Sequence, residues 1–563
     1  MLSCRSVNLQ GSPAGRASVR SNIQRFFIGL ALTTALGVAL TAQNAPTPAL
    51  PTHDITAKDL LTGLGDGAQW LSVHGDYSAQ RFSPLTQITP ANAAQLRPVW
   101  TFQTGVIGNF EATPIVIDGI LYTAGTLNNA WAVDGKTGKR LWSYSRRLPE
   151  GLKVCCGPVN RGFAVYHDRL YMTTLDAHLI ALEAKTGKLV WDVELADYKQ
   201  GYASTVAPLV VKDKLIVGIA GGEYANRGFL DAYDPTDGKR IWRFWTVPAK
   251  GEKGSETWPE SVLERGGAPT WVTGSYDPDL NLLYWGTGNP NPDWDGDTRA
   301  GDNLYAASLL ALNPDDGTLK WYYQFTPHDT HDWDANQVPV LADLPVAGQV
   351  RKVVMQANRN GFFYVLDRAT GKFIFAKPYV YTDWAKEVGG DGRPVLVPGH
   401  DPTEAGTSTC PDWYGGTNFM APSFDKRTNM FYLTVRETCA RFIRRETPSS
   451  VTVGDRTMGG QVAPLPDRRW GALRAIDATT GDQKWEVKYE APGWAGVVAT
   501  AGGIVFSADH QGTFLAVDSK TGKLLYSYPT GGASYAPATT YMAAGKQYVV
   551  LPTGSTMTAF ALP

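Results

Sequence analysis

The segment TPHDTHDWDAN places Asp329, Asp332 and Asp334 within six positions. Carboxylates this dense can take a proton from a bound substrate or hold a hard cation through oxygen. Two more oxygen donors stand upstream, Glu223 in GGEYANRGFLDAYD and Asn289 in GTGNPNP. Taken singly, a lone Glu reads as a solvated face and Asn-Pro as a turn. His328 and His331 flank Asp332, but no further ligand set completes a transition-metal site, so they read as loop structure. A second oddity is KVCCG, where Cys155 and Cys156 are neighbours in a chain with 5 cysteines. Adjacent Cα atoms lie about 3.8 Å apart across a trans peptide, below the usual disulfide range of roughly 4.4–6.8 Å. A bridge between them closes a distorted eight-membered ring, and strain of that kind is usually tied to function. The alternatives are two free buried thiols or halves of two distant disulfides.

What positions these residues is a repeat. The segments AVDGKTGKRLW (132–142), ALEAKTGKLVW (181–191), AYDPTDGKRIW (232–242), ALNPDDGTLKW (311–321), VLDRATGKFIF (365–375), AIDATTGDQKW (475–485) and AVDSKTGKLLY (516–526) share one pattern. Each reads as an apolar strand, an Asp, Glu or Asn, a glycine turn and a second strand with an aromatic. The aromatic offers a large apolar surface for docking onto a neighbouring repeat. Units of roughly 40–50 residues with strand content and a Trp signature mark propeller blades. Trp100 in RPVWTF supplies an earlier docking aromatic without a preceding strand and turn. The C-terminal strands in QYVVLPTGSTMTAFALP have no following Trp. The economical reading is that these two ends share one blade, which hides two sheet edges. The expectation is an all-β, eight-bladed β-propeller with insertions near 246–300 and 380–470. Residues 440–470 are polar and turn-rich, and read as insertion rather than as a ninth blade.

Composition narrows the function classes. With 563 residues and a formal net charge of −1, the chain offers no electrostatic case for nucleic acid. Arg20 and Arg25 precede the apolar run FFIGLALTTALGVAL, and small residues follow. This reads as a Sec-type signal peptide over 1–42, then a linker over 43–65 and the propeller over 66–563. The mature chain would sit in the periplasm, where disulfides persist. Cys4 leaves with the signal, and Cys155, Cys156, Cys410 and Cys439 remain.

The AxDxxTGxxxW core resembles the tryptophan-docking motif of the quinoprotein alcohol dehydrogenases. These eight-bladed propellers carry pyrroloquinoline quinone (PQQ), and the resemblance runs from about residue 66 to the C-terminus. Similar repeats occur in non-catalytic assembly propellers, so the site residues decide. The resemblance implies Glu223 and Asn289 as metal ligands and Asp332 as ligand and general base. Asp334 falls where lanthanide-dependent members carry an extra Asp. Three carboxylates suit a trivalent ion better than a divalent one, so a lanthanide is favoured, with Ca²⁺ otherwise. Trp271 in RGGAPTW would cover one PQQ face and a Cys155–Cys156 disulfide the other. Arg161 in VNRG would meet a PQQ carboxylate, and Arg359 in NRNGFFYVLD the reactive quinone oxygen. Glu111, Thr205, Asn418 and Trp494 match further cofactor contacts. Cys410 and Cys439 match a family disulfide. One departure is Ala220 in IAGGE, where methanol-oxidising relatives have Ser.

The expected activity is oxidation of an alcohol to an aldehyde or ketone by hydride transfer to metal-bound PQQ. No Cys-x-x-Cys-His occurs in the sequence, so no c-type haem is expected, and a separate cytochrome c would accept the electrons. No GxGxxG fingerprint supports a nicotinamide cofactor. A non-catalytic propeller scaffold explains the repeats equally well, but not the joint presence of Glu223, Asn289, Asp332, Arg359 and the paired cysteines. A propeller hydrolase with two carboxylates flanking a sugar has no use for Arg359 and Trp271.

Overall fold

The computed structural model describes residues 54–563. The expected signal peptide and residues 43–53 of the expected linker lie outside them. Among the described residues, no helix is long and apolar enough to cross a membrane. The fold is an all-β propeller. The strands form sheets of four or five, with one separate two-stranded sheet, Ala385–Val388 with Pro394–Leu396.

The repeat motif explains how one sheet holds the next. In the first sheet, strand Asn129–Asp134 ends at Asp134. The Asp134 Oδ1 accepts hydrogen bonds from the backbone N–H groups of Lys136 (2.9 Å) and Thr137 (2.8 Å), closing the turn. An Asp side chain at this place mimics a backbone turn. Strand Arg140–Ser145 then carries Trp142 outward. The Trp142 Nε1–H donates to the carbonyl of Ala184 at 2.8 Å, in the turn of the following sheet. Its ring lies on Gly187, where φ is +70° and an added Cβ would come within 2.6 Å of the indole. Trp242 repeats this on Pro314 and Gly317, and Trp485 on Ser519 and Gly522. The motif's glycine is therefore a seat for the neighbouring Trp as well as a turn residue.

An early strand pairs with the last one. Strand Arg97–Gln103 pairs antiparallel with Thr556–Ala561, with Thr101 opposite Thr558. Trp100 projects from this strand, donates to the Gly135 carbonyl at 3.0 Å and covers Gly138 in the first sheet. One further pairing has no signal in the sequence. Residues Phe82–Ser83 run parallel to Val498–Thr500 as a fifth strand of their sheet.

Three segments differ from their sequence appearance. Residues 440–470, polar and turn-rich, are largely strand: Met430–Arg444 and Gly460–Asp477 form one long hairpin, leaving 445–459 as its loop. Both strands continue outward beyond their sheet, so solvent-facing polar residues do not end them. Within 246–300, Ser275–Asp277 and Leu282–Gly286 are regular sheet strands. The expected linker over 43–65 is folded at its end: Ile55 pairs with His167, and helix Ala57–Thr62 buries Leu60. A capping box at Thr56 and Asp59 starts that helix, satisfying donors that would otherwise be orphaned.

Candidate active site

The carboxylate loop is built by Asp329. Its Oδ1 accepts from the backbone N–H of His331 at 3.0 Å and its Oδ2 from that of Trp333 at 2.8 Å. The loop is thereby folded tightly enough to hold Asp332 at φ +61°. A non-glycine residue held there is characteristic of functional sites. Burial raises the Asp329 carboxyl to about 6. His331 stacks on Trp333 with ring centroids 4.3 Å apart and contacts the His400 carbonyl through Nε2 at 2.9 Å. Both histidine contacts serve the loop.

Asp332 and Asp334 converge on Arg359. The Arg359 Nη1 lies 3.5 Å from Asp332 Oδ1 and donates to the Asp332 carbonyl at 2.7 Å. Its Nη2 lies 3.1 Å from Asp334 Oδ2 and donates to Asn418 Oδ1 at 3.3 Å. The Asp334 carboxylate also accepts from Trp271 Nε1 at 2.8 Å and from the Asn289 backbone N–H at 2.5 Å. Trp271 and Asn289 are thus fixed by the acid that stands between them. Gly222 packs against Asn289, its Cβ position lying 3.2 Å from the amide oxygen, which sets Glu223 beside it. The Cys155 and Cys156 sulfurs are bonded to each other, and Glu223 lies within 4.8 Å of both.

The remaining residues form a second arm. Arg161 Nη2 pairs with Glu111 at 2.8 Å, and its Nη1 donates to Thr205 Oγ1 at 2.5 Å. The guanidinium sits over the Trp271 ring, 4.6 Å from its centroid, and 5.2 Å from that of Phe419. Phe419 stacks in turn on Trp494 at 5.7 Å. Ala220 is held by its backbone, donating to the Ala203 carbonyl at 2.7 Å. Asp332, Asp334, Asn289, Trp271, Arg359 and Asn418 are thus joined through polar contacts, and Arg161, Glu111, Thr205 and Trp494 adjoin them through Trp271 and Phe419; Cys155, Cys156 and Glu223 form their own group. Cys410 and Cys439 lie outside these groups and are bonded to each other.

Charge is concentrated here. Burial pushes Glu223 above the usual carboxylate range, and Asp334 adds to the effect. Burial raises Asp332 well above it, with Arg359 opposing and Asp334, Asp293 and Glu223 reinforcing. Burial lowers Arg161 despite Glu111. For Arg359 burial also acts downward, but Asp334 and Asp332 outweigh it and raise the group. Crowded buried carboxylates with one close guanidinium are the environment a multivalent cation relieves. Asn289 Oδ1 is buried with no hydrogen-bond partner, a further oxygen fit for a hard cation. The flat Trp271 ring with Arg161 and Thr205 beside it suits a planar polyacid.

Sequence reasoning missed two members. Asp293, four residues after Asn289, is fully buried and accepts from Asn289 Nδ2 at 2.7 Å. Its nearness to Asn289 in the chain was the available signal. Arg299 had none. It is fully buried and donates to the carbonyls of Pro292 (2.8 Å), Asp293 (3.0 Å) and Asp329 (2.5 Å), and to Asn303 Oδ1 (2.7 Å). It ties the Asn289 segment to the aspartate loop. The hairpin loop 445–459 closes over the same region: Thr457 N–H donates to the Glu223 carbonyl and Gly454 N–H to that of Tyr224, each at 2.8 Å.

Residues 70–378 and 392–549 match the family described as PQQ, glucose/ethanol/alcohol dehydrogenase, beta-propeller domain. The quinoprotein alcohol dehydrogenase PedH of Pseudomonas putida is 38% identical over 501 residues, 84% of each chain. The lanthanide-dependent methanol dehydrogenase of Methylacidiphilum fumariolicum is 36% identical, covering 86% of this chain and 84% of the relative. The solved structure of a europium-containing methanol dehydrogenase superposes with a TM-score of 0.85 at 33% identity, covering 90% of this chain and 100% of that one. The chain belongs to the PQQ-dependent alcohol dehydrogenase family.

Proposed function

We propose that this protein is a periplasmic quinoprotein that oxidises an alcohol to an aldehyde or ketone, with Asp332 as general base. The observation that carries the reading is the junction of Asp332, Asp334, Asn289, Trp271, Asn418 and Arg359 in one buried cluster. When bound, PQQ supplies the hydride acceptor and the ion supplies Lewis-acid activation of its carbonyl. Glu223, Asn289, Asp332 and Asp334 would hold the ion. The carboxylate-rich donor set favours a lanthanide over Ca²⁺. Arg161, with Thr205 and Glu111, would bind the cofactor's acidic rim. Trp271 and the Cys155–Cys156 disulfide would cover its faces, with Asn418 and Trp494 completing the slot.

The chain's own work is positioning and proton transfer. Asp332 accepts the substrate hydroxyl proton on Oδ2, while Oδ1 stays with Arg359. The carbon-bound hydrogen leaves as hydride. Arg359, held by Asp332, Asp334 and Asn418, directs its charge to the oxygen where negative charge develops. The hairpin loop 445–459 limits water over Glu223. A separate cytochrome c would take the electrons. In this reading eight sheets act as eight blades, the Arg97–Gln103 strand closes the ring, and the Cys410–Cys439 bridge clamps the long insertion.

Reconstitution tests this. Purified protein is given PQQ with either calcium or lanthanum. Cofactor absorption and alcohol-dependent dye reduction are expected, stronger with lanthanum. Neither signal with either ion would leave the scaffold reading.

A further inference from the structure

We propose that Asp293 is a positioning residue of the ion site: its Oδ1 orients the Asn289 amide, and its buried acidic charge biases the site toward a trivalent cation. This rests on the metal-site reading above. The orientation follows from chemistry. With a cation in the site Asp293 is ionised and only accepts hydrogen bonds, so Asn289 turns its Nδ2 toward Asp293, at 2.7 Å. The second acceptor near that nitrogen is the Pro290 carbonyl, at 3.4 Å. The Asn289 Oδ1 is thereby forced to the opposite side, against Gly222 and next to Glu223. There it is buried with no partner. A neutral amide at 293 could donate or accept, and would leave either orientation of Asn289 open.

The other oxygen of Asp293 carries the second half of the inference. Its Oδ2 is buried and has no hydrogen-bond partner among the described residues, and the side chain is 0% exposed. Arg299 approaches the Asp293 backbone carbonyl rather than its carboxylate. Burial raises its carboxyl well above the usual range, with Glu223 and Asp334 adding to the effect and Arg299 opposing it. A buried carboxylate without a cation partner, beside two others, is strongly unfavourable unless a cation compensates it. With Glu223, Asp332 and Asp334, it gives four acidic side chains, opposed by the guanidinium of Arg359 and, from the backbone side of Asp293, by that of Arg299. Electrostatic compensation of this surplus grows with the charge of the ion, and so separates a lanthanide from Ca²⁺ more than size does.

The test uses the full protein loaded with PQQ and freed of metal, titrated calorimetrically with lanthanum chloride and calcium chloride. Asp293→Asn keeps the shape and removes the charge. The expected result is a roughly 10–100-fold loss of lanthanum affinity, typical of an outer partner of a ligand, with a smaller loss for calcium. Thermal unfolding gives a second readout. The metal-free variant should melt higher than the metal-free parent, because an uncompensated buried charge is gone. The lanthanum-saturated variant should melt lower than the saturated parent. A merely structural role would lower both melting temperatures and weaken both ions alike, and that outcome overturns the proposal. So does unchanged affinity for both ions. If Asp293→Asn does not fold, Asp293→Ser, smaller and neutral, carries the same comparison. A parent protein that binds neither ion would overturn the metal-site reading itself.

Discussion

At the scale of single residues, the site is organised by polar side chains that each hold more than one neighbour. Arg359 grips both aspartates and Asn418, and Asp334 grips Trp271, Asn289 and Arg359. This allows the proton acceptor to be tested without dismantling the slot. Asp332→Asn keeps the size of the side chain and leaves the Arg359 contact to the residue 332 carbonyl. PQQ uptake, read from its absorption, should persist, while turnover with a dye acceptor should fall by about 10²–10⁴-fold, the range for a lost general base. Full turnover in the variant would move the base elsewhere. Arg299 makes a different prediction because it touches neither proposed ligand side chains nor substrate. Its fork spans carbonyls in two loops, and a lysine cannot reach them all. Arg299→Lys should lose about 1–3 kcal/mol in urea unfolding, the scale for buried acceptors left unpaired. Metal affinity should fall with it, since the Asp329 and Asp293 segments are no longer tied.

At the scale of elements, the Trp seat is the unit of cohesion. Two glycines separate its contribution from backbone strain. Gly187 and Gly348 both have φ in the left-handed region, +70° and +78°, but only Gly187 faces an indole, while nothing lies within 4 Å of the Cβ position at Gly348. Gly348→Ala should lose roughly 1–2 kcal/mol from left-handed backbone alone. Gly187→Ala should lose about 1–3 kcal/mol more, because Trp142 must shift from its seat. Equal losses in denaturant titrations would mean that Trp142 contributes little at that seam. The same seats explain what was legible in the sequence. The turns were visible because Asp, Gly and Trp each perform a local task that recurs at fixed offsets. The docking role of Trp100, an aromatic with no turn of its own, was visible in the same way. The long hairpin was hidden because its outer strands are polar where they leave the sheet. The Phe82–Ser83 strand was hidden because two residues carry no periodicity. In the site, the ligand-like residues sat in recognisable segments, whereas Asp293 and Arg299 act through partners that only folding brings near. Arg299 in particular meets Asp329 across 30 positions.

At the scale of the whole molecule, the segment around residues 73–81 is held against distant stretches of chain by buried polar groups. The fully buried Arg81 donates to the carbonyls of Val73 (2.5 Å), Val497 (3.0 Å) and Ala538 (2.7 Å), joining three distant stretches of chain. Burial lowers it to about 9. Beside it, His74 is buried and its Nε2 lies 3.0 Å from the Thr273 carbonyl, while Nδ1 has no partner. Burial, with the Arg81 charge adding to it, lowers His74 to about 4 from an ordinary value of 6.5. The folded protein therefore keeps this imidazole neutral where the unfolded chain has protonated it. Between pH 6.5 and about 4 the unfolded state holds the extra proton, so stability falls as pH falls through that window. The ceiling on the effect is about 3 kcal/mol at the acid end. His74→Gln supplies a neutral amide that can donate to the same carbonyl and does not titrate. Denaturant unfolding of both proteins at pH 7.5 and 4.5, with disulfides intact, isolates the imidazole, because every other titrating group is common to both. The parent should lose more stability than the variant on acidification. Equal losses would show that His74 takes up its proton in the folded protein as readily as in the unfolded chain, and would place the acid sensitivity of the protein elsewhere.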